Sequence, residues 1–311
     1  MTRDDRPVLG ILLMFGFCLT APLADALAKL LGERIDVVQL VAFRMVFQVL
    51  LLAPVVVWAA IPVLMSRRDV VLTAIRAVLH MLGIGMMFLS LRYLPLADAV
   101  AIAFVMPFIM LILGNFFLGE EVGHRRIMAC CVGFIGTLLV MQPSFAEVGW
   151  PALLPVGVAF DFAFFMLVTR QLAKSVDPVA LQLVSGAFAC ALLLPLIAVL
   201  AYTNVPGFQV SWPAGMTWAL VVAMGALGTI AHLLMTYALR FAPSATLAPM
   251  QYLEIPIAAL LGWLIFSDFP NGIALLGILV TIGAGLYIIA REQRLSREPQ
   301  QVRSSTPPEA G

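Results

Sequence analysis

Charge is what this chain has least of. Asp, Glu, Lys and Arg make up 11% of its 311 residues, against roughly 25% in soluble domains. With 62% hydrophobic residues, too little polar material remains to build a water-facing surface. Histidine is scarce, at three residues, and the four cysteines (Cys18, Cys130, Cys131 and Cys190) fall inside apolar runs without metal-ligand spacing. Those cysteines read as ordinary buried thiols, and neither a metal nor a cofactor is expected. No Gly-x-x-x-x-Gly-Lys-Ser/Thr run is present, which removes a pump driven by nucleotide hydrolysis. His-Glu-x-x-His and Gly-x-Ser-x-Gly are absent too, so an intramembrane enzyme would have to work without either motif. Nucleic acid is not an expected partner.

What is present is long apolar sequence. A bilayer core of about 30 Å takes about 20 mostly apolar residues per helix. Ten such runs lie at 8–31, 37–60, 71–92, 97–118, 126–141, 150–170, 178–202, 217–239, 245–266 and 272–291. They are apolar throughout instead of alternating, which excludes the strands of a membrane barrel. The first run contains Asp25 and Lys29 and ends at Leu31-Gly32-Glu33-Arg34, not at a small-residue cleavage site, so it reads as a retained helix. Residues 292–311 carry Arg, Ser, Pro and Gln with almost nothing apolar, the composition of a disordered tail.

The chain also repeats itself. Leu91-Arg92-Tyr93-Leu94-Pro95-Leu96-Ala97 returns as Leu239-Arg240-Phe241-Ala242-Pro243-Ser244-Ala245, and Pro107 is answered by Pro256, at offsets of 148 and 149. At an offset of 141, Lys29 pairs with Arg170, Asp36 with Asp177 and Pro54 with Pro195. With the N-terminus in the cytoplasm, the cytoplasmic face holds Arg3, Arg6, Arg67, Arg68, Arg125, Arg126, Arg170, Lys174, Arg240, Arg291, Arg294, Arg297 and Arg303. The outer face holds only Arg34 and Arg92, so basic residues favour this orientation by thirteen to two. Five helices per half is an odd number, so the second half must be inverted relative to the first. The expected fold is an all-α integral membrane protein with ten transmembrane helices in two inverted five-helix repeats, residues 1–141 and 150–291. Both termini, and the 292–311 tail, are then cytoplasmic.

These residues resemble the EamA-type transporters of the drug/metabolite transporter superfamily. Lys29, Arg44, Leu91-Arg92-Tyr93, Pro107, Leu118-Gly119-Glu120, Gly133 and Gly136 follow that pattern in order and spacing. Leu239-Arg240-Phe241, Pro256, Gly262-Trp263-Leu264, Gly283 and Gly285 repeat it. Two departures stand out: Ala21-Pro22 where the family often has a Trp-Gly-like pair, and Phe266-Ser267-Asp268 in place of the Leu-Gly-Glu turn. The motif Asp25-Ala26-Leu27-Ala28-Lys29 is similar to a bacterial branch that includes riboflavin and S-adenosylmethionine importers. The resemblance implies a ten-helix secondary transporter with two inverted repeats.

Charge at bilayer depth is costly and marks pathways or pairs. Asp25 and Arg44 lie roughly 8 Å and roughly 7 Å outward of the midplane at about 1.5 Å per residue, with Lys29 one turn beyond Asp25 on the same face. The three form either a static ion pair between the first two helices or an outer gate whose charges exchange partners. Glu254 falls near the middle of the ninth run with no Lys or Arg at its depth, and Asp161 occupies the same level of the sixth; either can load and release a proton. Equally, a protonated Glu254 bonded to a neighbouring helix would need no transport role. Pro107 and Pro256 are expected to kink their helices. His80, His232, Gln251 and Tyr252 can form a polar wall, although a lone histidine such as His80 more often satisfies a neighbouring carbonyl. Arg76, about five residues inside the third run, is expected to snorkel to the cytoplasm. Met86, Met87, Phe104, Met106, Phe162, Phe164, Phe165, Met166 and Met250 can line a cavity for a flat organic molecule or simply pack.

The expected function is a secondary transporter or facilitator of a small organic metabolite across the bacterial inner membrane, with a lean to a vitamin-like substrate such as riboflavin or an amino-acid-derived compound. Its partners are that solute, the lipid bilayer and a proton as candidate coupling ion. The alternatives are an exporter of amino acids or toxic metabolites and, further off, an intramembrane enzyme.

Overall fold

A computed structural model describes residues 6–119, 123–141, 149–203 and 208–267, with 272–273, 275–280, 282–284, 286–287 and 290 beyond them. Glu120, Asp268, Gly285 and the 292–311 tail lie outside the described residues. The described chain is helical, and six helices are long and apolar enough to cross a membrane. In chain order these are α1 (Pro7–Gly32), α2 (Val37–Trp58) and α3 (Arg67–Ser90), then α7 (Leu154–Ala173), α8 (Pro178–Tyr202) and α9 (Met216–Phe241). Shorter helices follow each triplet: α4 (Leu96–Ala103), α5 (Met106–Leu118) and α6 (His124–Met141) after the first, α10 (Ser244–Leu247) and α11 (Glu254–Phe266) after the second. Large apolar side chains such as Leu12, Leu50, Leu64, Phe116 and Leu264 are left exposed, in numbers that lipid, not water, accommodates.

The two triplets are built alike to the level of single hydrogen bonds. Asp36 caps the start of α2 by accepting from the Val38 amide at 2.9 Å. Its repeat mate Asp177 caps α8 through Val179 at 2.8 Å and Ala180 at 3.3 Å. A side-chain acceptor at this position satisfies amides that the first turn leaves orphaned. In the preceding turns, the Leu31 carbonyl accepts from Arg34 and Ile35, and its mate Leu172 accepts from Ser175 and Val176. Pro54 lies within α2 as Pro195 lies within α8.

Packing respects the same exchange. The main interfaces join the halves: α1 lies along α9, α3 along α7, and α2 along α8. Exchanging first for second half turns the first pair into the second and returns the third to itself. Small residues permit the close approach that membrane helices need, with Gly10 of α1 against Ala242 just past α9, and Gly157 of α7 against Met86 of α3.

The fourth and ninth expected helices are broken, not merely kinked. The first stops at Ala103, passes through Phe104-Val105 and resumes as α5. The second becomes α10, then a 3-10 stretch (Ala248–Leu253), then α11. A proline at 107 has no N–H for the Ala103 carbonyl, nor one at 256 for that of Tyr252, so regular helix fails one turn ahead of each. Both prolines then fall in the first turn of the resumed helix, where the missing donor costs nothing. The breaks meet: Tyr252 donates through its hydroxyl to the Phe104 carbonyl at 3.3 Å, and their rings lie 5.3 Å apart. At the offset of 148 these two residues are repeat mates. Irregular backbone at membrane depth is tolerable when buried in protein this way.

Candidate functional site

A cavity of ≈ 90 Å³ opens beside these breaks. Asp25 and Phe17 of α1, Arg44 of α2, Met87 and Phe88 of α3, Phe162 of α7, His232 of α9 and Glu254 of α11 all reach it. Phe104 and Met106 contribute from the first break. Asp25 and Glu254 are partly exposed there. Glu254, expected to stand apart from any cation, therefore shares its cavity with Arg44, because the break starts α11 at Glu254, alongside α1.

Arg44 does not close an ion pair with Asp25 among the described residues. Its Nη2 donates to His232 Nδ1 at 2.9 Å and to the Gly228 carbonyl at 3.3 Å, both on α9. Gly228 makes this possible, since a Cβ there would fall on the guanidinium. A guanidinium only donates, so His232 Nδ1 accepts, and a neutral ring carries its proton on Nε2. Substituting Gly228→Ala is expected to destabilise the protein by about 1–3 kcal/mol through overpacking and to dislodge Arg44. Thermal unfolding of the detergent-solubilised variant checks this, and wild-type stability with wild-type transport would contradict the seat.

His80 is buried, and neither ring nitrogen finds a hydrogen-bond partner among the described residues. The expected carbonyl partner is therefore not there. Its ring instead stacks on Phe165 at 4.9 Å and lies 4.4 Å from that of His232. His232 is thus part of the cavity wall, with His80 buried behind it.

Behind them stands Arg76, which the sequence placed at the cytoplasmic surface. It is 0% exposed. Nε donates to Thr169 at 2.8 Å, Nη2 donates to Gln182 Oε1 at 2.6 Å and to Thr236 at 3.5 Å, and the guanidinium lies 4.6 Å over the Phe165 ring. Snorkelling fails because α7, α8 and α9 each present an acceptor at this level, a better arrangement for the charge than stretching along lipid. Gln48 joins the cluster by donating to the Gln182 carbonyl at 2.7 Å. Sequence reading missed Gln48, Thr169, Gln182 and Thr236; the available signal was polar residues at matching depth on neighbouring helices.

The remaining candidates separate from the cavity. Asp161 does not itself line the cavity, but its Oδ2 lies against Gly83 of α3, which does, without a hydrogen-bond partner among the described residues. Gln251 is buried with its Nε2 on the Met166 sulfur at 3.0 Å. Tyr252 is committed to Phe104, its ring cradled by Gly133. The polar wall proposed from sequence therefore reduces to His232 and Glu254 on the cavity, with His80 behind. Of the expected apolar lining, Met87, Phe104, Met106 and Phe162 reach it. Phe165, Met166 and Met250 are buried elsewhere, and Phe164 is exposed. No group of three metal-ligating side chains occurs among the described residues.

A larger groove of ≈ 920 Å³ runs between α1, α11 and Leu275, Ile278, Ile282 and Leu286, lined by Leu12, Phe15, Trp263 and other mostly apolar side chains. With little polar surface to orient a solute, it matches lipid chains better than a metabolite.

Comparison with known proteins gives concordant results. The model of the EamA-like transporter family matches residues 8–142 and again 149–291. A riboflavin transporter of Rhizobium johnstonii is 34% identical over 224 residues, 72% of either chain. An S-adenosylmethionine uptake transporter of Rickettsia felis is 27% identical over 87% of this chain and 88% of its own. A pseudopaline exporter of Pseudomonas aeruginosa is 25% identical over 93% of this chain and 96% of its own. A solved crystal structure superposes with a TM-score of 0.70 at 18% identity, covering 93% of this chain and 98% of that one.

Proposed function

We propose that this chain, which belongs to the EamA-like transporter family, moves a small organic metabolite across a bacterial inner membrane by alternating access. The halves would be inverted five-helix repeats of a ten-helix protein, with both termini cytoplasmic. One observation carries the reading: the charged cavity lies where the two broken helices meet, and breaks at corresponding places in two repeats mark the binding site in transporters of this construction. At ≈ 90 Å³ the cavity is well below the roughly 300 Å³ of small-molecule sites. This conformation is therefore closed around its charges, and binding requires the halves to part.

The cavity's chemistry narrows the solute. Asp25 and Glu254 supply two carboxylates, while the one guanidinium is already engaged by His232 and the α9 backbone. An amino-acid-derived compound with a cationic centre beside an apolar or flat group satisfies both the acids and the Phe17, Phe88, Phe104 and Phe162 rings. A neutral flat ring of the riboflavin kind uses the aromatic wall alone, and the identity to the Rhizobium protein keeps it as the second reading. A proton is the candidate coupling ion, with Glu254 as its carrier.

Purified protein in liposomes is expected to catalyse flux of a labelled metabolite, with cationic amino-acid derivatives competing better than riboflavin. Absence of flux across a broad panel overturns the transporter reading; riboflavin as the better competitor overturns the substrate class. Growth rescue of auxotrophs indicates import, and resistance to toxic metabolites indicates export.

A further inference from the structure

We propose that Lys29 and Arg170 are equivalent latches at opposite ends of the transport path, each pinning the first helix of its half to the segment that feeds the broken helix. The proposal rests on the alternating-access reading above.

The two residues are repeat mates at the offset of 141, at the ends of α1 and α7. Lys29 donates through Nζ to the Leu94 carbonyl at 3.1 Å, immediately before Pro95 and α4. Arg170 donates through Nη1 to the Leu239 carbonyl and, at 3.2 Å, to that of Arg240, ahead of Pro243 and α10. Each contact is a cation on the carbonyl end of a third helix or its exit turn, where the helix dipole favours positive charge. Lys29 also lies 4.9 Å over the Phe266 ring at the end of α11, so this latch ties the first half to the second. Arg92, from the exit turn of α3, adds a bond to the Ile35 carbonyl at 3.0 Å between α1 and α2.

The latches are caught at different registers. Leu94 is the repeat mate of Ala242, whereas Leu239 and Arg240 are the mates of Leu91 and Arg92. Correspondingly, α3 ends at Ser90, while α9 runs to Phe241, the mate of Tyr93. The second half therefore holds its cation against carbonyls two to three residues earlier, on a third helix that has not yet unwound. In the proposed cycle the inverted halves exchange these registers as one gates against the other around the site. The exchange moves Lys29 toward the Leu91 and Arg92 carbonyls as α3 extends, and Arg170 toward the Ala242 carbonyl as α9 shortens. The carbonyl contacts of both donors suit this stepping, because a bond to one backbone carbonyl can be traded for a bond to the next one along.

Removing one latch biases the equilibrium toward opening at its own end. The test places a single reporter thiol in the cavity, Ala103→Cys, with Cys18, Cys130, Cys131 and Cys190 replaced by Ala, and measures labelling by an impermeant maleimide in intact cells and inverted vesicles. Lys29→Met is expected to raise the ratio of outside to inside labelling about tenfold, and Arg170→Met to lower it about tenfold, equivalent to about 1.4 kcal/mol each. Lys29→Arg and Arg170→Lys, which keep a charged donor, are expected to return the ratio toward that of the parent. Where a Met variant does not assemble, Lys29→Gln and Arg170→Gln replace it, with the same opposite signs required. Shifts in the same direction, or no shift in protein whose wild type transports, overturn the latches. Loss of flux in the wild type itself overturns the transporter reading instead.

Discussion

Glu254→Gln is expected to uncouple transport from pH while leaving the protein folded. In liposomes with an imposed proton gradient, a carboxyl that loads on the acidic side and releases on the alkaline side makes net flux follow the gradient, and reversing the gradient reverses that contribution. Glutamine keeps the shape and a hydrogen-bonding amide but cannot ionise, so flux through the variant should respond to neither direction. Accumulation against a gradient should fall by about tenfold or more, since a charge-assisted contact is worth about 1.5–3 kcal/mol and each 1.4 kcal/mol is about tenfold. When ionised, Glu254 also adds negative charge to the cavity that it shares with Asp25, so affinity for a cationic solute should weaken even without a gradient. A variant that kept the wild-type pH profile would sink the proton-carrier role and leave Glu254 as a neutral, hydrogen-bonded wall residue.

Arg76→Ala is expected to be the most destabilising single change in the described bundle, at about 3–5 kcal/mol. Three acceptors, Thr169, Gln182 and Thr236, lose their donor; each acceptor left unsatisfied costs about 1–3 kcal/mol. Truncation also opens a void against Phe165, where large-to-small changes cost about 2–5 kcal/mol. The costs overlap, because the three hydroxyl and amide groups can re-pair once the guanidinium is gone. Arg76→Met should recover part of the loss by refilling the space. Thermal unfolding in detergent reads the order Ala below Met below wild type. If Arg76 reached the membrane surface as its sequence position suggests, both variants would unfold within about 0.5 kcal/mol of wild type.

That contrast shows how far the sequence could be read. Apolar runs locate the long helices to within a few residues, because membrane partition depends on composition along one segment. Matching strings at fixed offsets locate the duplication, and the structure realises it in the Asp36 and Asp177 caps and the Leu31 and Leu172 turns, which are local bonds too. Pro107 and Pro256 are legible as disruptions for the same reason. Their outcome is not: whether a missing donor yields a kink or a full break depends on whether neighbours bury the freed backbone, and here Tyr252 and Phe104 do so across the halves.

The site was legible in its membership more than in its pairing. Asp25, Arg44, His232 and Glu254 were all identifiable as polar groups at depth, and all four reach one cavity. Depth along a helix says nothing about rotation about its axis, so Gln251 and Tyr252 were candidates too and yet face elsewhere, while Asp161 stops one layer back, against Gly83. The pairing of Arg44 with Asp25 looked natural because α1 and α2 adjoin in sequence.

The sequence by itself determined that this is a duplicated, helical membrane protein and which ionisable groups fall within its apolar runs, since both follow from composition and order along the chain. The tertiary structure alone decided what those groups touch. Arg44 meets α9 through a notch that only Gly228 leaves open, and Arg76 turns inward to acceptors on three helices of the other half. Contacts across more than ninety residues are set by how the halves pack, and no local pattern encodes that rotation.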